Sequence, residues 1–118
     1  PTMSRIPALD PQAADPAAQP LLAAVQRALG VTPNMMRTMA QRPAVLDAYL
    51  AMSGALAKGR LGRKLGAQVA LAVAEANGCG YCAAAHTLLG KGAGLSDADV
   101  EAARGGAAAD PRAAAALA

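Results

Sequence analysis

Phenylalanine and tryptophan are absent from this 118-residue chain, and its only aromatic residues are Tyr49 and Tyr81. The core must therefore come from aliphatic side chains, and the stacking platforms of single-strand nucleic-acid binding are missing. No stretch approaches the ~20 apolar residues of a membrane span. The N-terminus lacks the charged, apolar and small-residue succession of a secretory signal. Two cysteines with only two residues between them cannot staple a secreted scaffold. A cytosolic protein using them for redox or metal chemistry is the expectation. Charge of neither sign dominates: 11 basic and 8 acidic residues leave +3, too mild to point to nucleic acid. The one dense basic stretch, KGRLGRK at 58–64, lies in a glycine-containing break between apolar segments and reads as a solvated helix connection.

What is abundant is alanine. Apolar residues make up 54% of the chain, and 34 of them are alanine, beside 14 Leu, 6 Val, 5 Met and 1 Ile. Each alanine buries little area, so the free energy gained per residue is modest. Close helix packing suits this composition, and association into a homo-oligomer would supply the missing burial.

The pattern along the chain is helical throughout, with no alternating strand signal. Residues 1–20 hold five prolines and read as an extended arm, laid over a neighbouring subunit, ahead of a single helical domain at 21–118. Leu21, Leu22, Val25, Ala28 and Leu29 recur at helical spacing up to Gly30. Thr32 is the expected cap of a short helix that Pro43 closes, and its three methionines read as soft core filler. Pro43 opens a longer helix to about Lys58. The next spans about Gly62 to Asn77, with Leu65, Val69, Ala72, Val73 and Ala76 as its apolar stripe. Asn77-Gly78 is a helix stop. A further helix starts at Cys79 and runs to about Lys91. SDAD at 96–99 resembles a capping box leading into Val100 to Arg104, and Asp110-Pro111 is a last helix start.

The stretch EANGCGYCAAAH, residues 75–86, holds both cysteines and the only histidine. Cys79 and Cys82 are three apart, and Cys82 and His86 four apart, so all three share one helix face. The first thiol sits at the helix N-terminus, where the backbone N–H groups favour an anion. That position and a nearby imidazolium lower a thiol pKa from ~8.5 toward neutrality. His86, one turn after Cys82, is placed to take its proton directly or through a water. The CxxC pair is close enough to close a disulfide. A dithiol redox centre fits best. A buried pair of small side chains beside a core histidine would make this clustering a coincidence. A zinc site of Cys79, Cys82, His86 and Glu75 would aim three ligands along a line instead of around a tetrahedron. A thioredoxin-like motif needs strands that the chain does not supply.

The stretch LAVAEANGCGYCAAAH, residues 71–86, resembles the core of the alkylhydroperoxidase D-like (AhpD-like) proteins of the carboxymuconolactone decarboxylase superfamily, with their C-x-x-C-x-x-x-H pattern after an apolar helix. LGVTPNMMRTMAQRPAVLDAYLAM upstream and GAGLSDADVEAAR downstream are similar to the flanks of that core, so the resemblance covers roughly residues 29–105. It implies an all-α antiparallel bundle that assembles through helix faces as trimers or hexamers. It implies reduction of a hydroperoxide through the cysteines, without a bound cofactor. A dithiol of the dihydrolipoamide or thioredoxin type would act as reductant. Cys82 would attack the peroxide, Cys79 would resolve the sulfenic acid, and His86 would serve the proton relay. The chain departs from the pattern at two places. Tyr81 replaces a histidine before the second cysteine. Ala67, with Gln68 beside it, stands where many members carry a relay glutamate. Glu75 is the one carboxylate near the motif and the expected substitute. Two other readings stay open: a decarboxylase-type lyase acting on a small lactone acid, and a non-enzymatic helical module that binds metal.

Overall fold

Alanine-rich segments with caps at their ends have few options besides the helix. In the computed structural model, which describes residues 4–118, all regular structure is helical. Seven helices follow one another: α1 Gln19–Leu29, α2 Asn34–Met39, α3 Pro43–Ala57, α4 Gly62–Ala76, α5 Gly80–Gly92, α6 Asp97–Arg104 and α7 Pro111–Leu117. The chain divides into two compact units, the first ending at Leu56 and the second running from Ala57 to Ala118, where the sequence suggests one domain after an arm.

In the first unit the arm folds back on its own chain. The Leu9 N–H donates to the Arg37 carbonyl (3.2 Å), the Arg37 guanidinium returns a bond to the Leu9 carbonyl, and Gln41 donates to the Pro7 carbonyl (2.9 Å). Ala14 and Ala18 are buried with Leu22, Val25, Met36, Ala40 and Leu46 in one apolar cluster. The first helix thus begins two residues earlier than its apolar period suggests. Thr32 does not cap α2: Pro33 holds the cap position without a side-chain bond, and the Thr32 hydroxyl donates to Gln26 (2.8 Å). Pro33 takes an extended backbone (φ −60°, ψ 149°), so the helix starts after it and not after Thr32. α3 is apolar on most sides and buries only Leu46, leaving Val45, Met52 and Leu56 exposed.

In the second unit α4 is the central helix and packs against α5, α6 and α7. Its buried face is Leu65, Ala67, Gln68, Leu71 and Ala74, not the stripe that runs through Val73 and Ala76; Val73 is half exposed. The reason lies in the partner. α5 presents Gly90, where a Cβ would meet Leu95 Cδ1 at 2.8 Å and Ala67 Cβ at 3.6 Å. Small residues on both helices let the backbones approach, so the face with alanines is covered in preference to the face with larger side chains. Ala67, Leu71, Leu95, Val100 and Ala103 form the core there, with Leu117 against it. The expected capping box closes α6: Ser96 accepts from the Asp99 N–H (3.1 Å) and Asp99 accepts from the Ser96 N–H (2.9 Å). Asp110 caps α7 through the Ala113 N–H (2.8 Å).

Candidate active site

The turn between α4 and α5 fixes the position of Cys79. Gly78 adopts φ +63°, the left-handed conformation that glycine takes at little cost. The Cys79 N–H then bonds back to the Ala74 carbonyl (2.9 Å) and the Gly78 N–H to the Glu75 carbonyl (3.0 Å), the paired bonds of a Schellman stop. Asn77 keeps a right-handed backbone, so glycine alone makes the turn. Cys79 is also the first cap of α5, one residue before the helix begins. Its carbonyl accepts from the Ala83 N–H (3.0 Å), and its Sγ accepts from the Cys82 N–H (3.2 Å). Every polar group of Cys79 is therefore engaged by one helix or the other.

Cys79 and Cys82 are joined by a disulfide, with their Cα atoms 5.2 Å apart. Both are half-buried, as is His86 one turn further along α5. Among the described residues no hydrogen bond joins His86 to either sulfur. Tyr81, between the cysteines, is 60% exposed. No acidic residue occupies the first turn of α5, so the field there comes from the backbone N–H groups and favours a thiolate.

Glu75 is drawn elsewhere. Its Oε2 accepts from Arg104 Nε on α6 at 2.8 Å, and Glu101 lies 3.8 Å from the same guanidinium. The bond to Glu75, then its charge and that of Glu101, hold the Arg104 pKa above its ordinary value. Glu75 and Arg104 are each roughly half exposed, so the pair is a surface tie of small energy. Arg104 is the residue near the motif that sequence reasoning missed. Its spacing from Glu101 shows a helical pair, but nothing local joins it to a residue 29 positions earlier.

Ala67 faces α5 at Gly90. Gln68, the next residue along α4, is buried. Among the described residues no three His, Cys, Asp or Glu side chains converge as a metal site.

The arrangement is that of an all-helical protein with a disulfide at the opening of a helix. The chain matches the model of the carboxymuconolactone decarboxylase family over residues 43–118, which is α3 to α7, and it belongs to that family. No curated protein and no solved structure matches it.

Proposed function

We propose that the protein is a thiol-dependent peroxidase and disulfide oxidoreductase that reduces alkyl hydroperoxides through Cys79 and Cys82. The observation that carries this reading is the Cys79–Cys82 disulfide at the N-terminus of α5, with His86 one turn beyond. Family membership supports an enzyme of the decarboxylase or peroxidase kind. The cycle starts with His86 drawing the proton from Cys82. The Cys82 thiolate attacks a peroxide oxygen, the O–O bond breaks, and the departing alkoxide takes the proton from His86. Cys82 is left as sulfenic acid. Cys79 attacks its sulfur, water leaves, and the disulfide forms. An external dithiol of the dihydrolipoamide or thioredoxin type restores both thiols and is itself oxidised. With alanine at 67, His86 carries the proton relay, and Glu75, held only by a weak surface pair with Arg104, is the one carboxylate of the motif that could assist it.

The protein acts as a homo-oligomer, a trimer or hexamer, in the cytosol. The exposed apolar side chains Tyr81, Leu88 and Leu89 on α5 support the association of copies. The family's name also supports a second reading, a lyase acting on a small lactone acid, in which the cysteines are idle.

The test is thiol loss over time when reduced protein meets one equivalent of an organic hydroperoxide at neutral pH. Two thiols should disappear far faster than a free small thiol reacts. Cys82→Ser should abolish the reaction, and His86→Ala should slow it by about 10²-fold or more. Loss at the rate of a free thiol sinks the peroxidase reading. Lactone turnover that survives loss of both cysteines would establish the lyase.

A further inference from the structure

We infer that Cys79 is the thiolate that leaves when the disulfide is reduced, so the external dithiol becomes covalently attached to Cys82. The inference rests on the redox role proposed above and assigns the two sulfurs different duties in the reductive half of the cycle.

The asymmetry is built from the backbone. Cys79 Sγ already accepts the Cys82 N–H at 3.2 Å in the oxidised protein. That donor belongs to the first turn of a 13-residue helix, whose backbone bonds do not depend on the S–S bond. The Cys79 backbone is held from the other side by the Ala74 carbonyl and by the left-handed Gly78. When the S–S bond breaks, Cys79 Sγ remains at the cap, and its charge is stabilised by an N–H and by the helix dipole. Cys82 stands three residues into the helix, its own N–H spent on Cys79, and its sulfur accepts no hydrogen bond among the described residues. In thiol–disulfide exchange the sulfur with the more stable thiolate leaves faster. Attack is therefore directed to Cys82.

The steps balance. A thiolate of the reductant attacks Cys82 Sγ, a mixed disulfide forms there, and Cys79 departs as a thiolate. The second thiol of the reductant gives up its proton and attacks the reductant sulfur in that mixed disulfide. The reductant closes to its own disulfide, and Cys82 is released as a thiolate one turn from His86. Two electrons pass to the protein, whose cysteines emerge as two thiolates, and both thiol protons of the reductant go to the solvent. The same division serves the oxidative half, where the Cys79 thiolate is ready to attack a sulfenic acid on Cys82.

The probe is 2-mercaptoethanol, a monothiol that stalls at the first step. Oxidised protein is mixed with it, quenched with N-ethylmaleimide, digested and mapped by mass. The expected product carries mercaptoethanol on Cys82 and maleimide on Cys79. Adduct on Cys79, or equal amounts on both, overturns the inference. Single-cysteine variants give a second measurement, with thiolate absorbance followed against pH. Cys82→Ser, which retains Cys79, should hold about fivefold more thiolate near pH 6 than Cys79→Ser does. Serine at 79 still caps a helix, so that variant keeps α5. The reverse order, or no difference, overturns the assignment even if the mixed disulfide is too short-lived to map. Neither measurement uses a peroxide, so failure of the peroxidase reading shows separately in the thiol-loss assay.

Discussion

A single cysteine carries most of the local argument. Cys79 ends one helix, begins the next and forms half of the disulfide, so its geometry is determined three times over. Glu75 shows a looser hold: it lies close to the motif in sequence, and its carboxylate pairs at the surface with Arg104 on α6. Asp99 illustrates how a cap titrates. The Ser96 backbone N–H, and after it the Ser96 hydroxyl, hold the Asp99 carboxyl below its ordinary pKa. A depressed folded-state pKa means that the native chain favours the ionised form. The associated stability is fully present above the unfolded pKa of about 3.9 and is lost as pH falls through the folded value. Urea unfolding between about pH 4 and pH 2 should therefore show stability falling with acid, with a shallower fall in Asp99→Asn. Equal slopes in the two proteins would mean that the capping carboxylate is not linked to folding.

Between elements, small residues decide the packing. α4 and α5 meet where Ala67 faces Gly90, and Leu95 fills the remaining space. A side chain at position 90 must displace Leu95, which is 4% exposed and has little room to move. Gly90→Val should cost about 1–3 kcal/mol through overpacking. Gly66, inside α4 with nothing within 4 Å of a built Cβ, provides the contrast. Gly66→Ala should stabilise by roughly 0.5–1 kcal/mol through helix propensity. Chemical denaturation of the two variants tests both signs. If Gly90→Val were as stable as the parent, the close approach of the two helices would be wrong.

For the whole molecule, the sum of large side chains is small, and many of them are not used in either core. No helix among the described residues is long and apolar enough to cross a membrane. Leu88 on α5 is 71% exposed and Leu56 on α3 is also 71% exposed. Water contact at such positions leaves hydrophobic free energy unrealised, which is the physical ground for the association of copies proposed above. Leu88→Glu should shift sedimentation toward the single chain while leaving helix content unchanged. A parent protein that already sediments as a single chain at micromolar concentration would remove the association altogether.

Helical class, the cap at Ser96 and Asp99, and the one-face spacing of Cys79, Cys82 and His86 were legible in the sequence alone. Each is local: periodicity, capping and i, i+3, i+4 neighbours are fixed within a turn or two of chain. The family was legible for the same reason, since its motif is contiguous. The buried face of α4 was not legible. Alanine gives a weak periodic signal beside valine, and only the packed structure shows that Ala67, against Gly90, and the buried Ala74 face inward. The return of the proline-rich arm onto Arg37 and Gln41, and the capture of Glu75 by Arg104, also waited on the tertiary structure. Both join residues about 30 positions apart, and such pairs are set by how helices approach one another, which no local pattern of residues encodes.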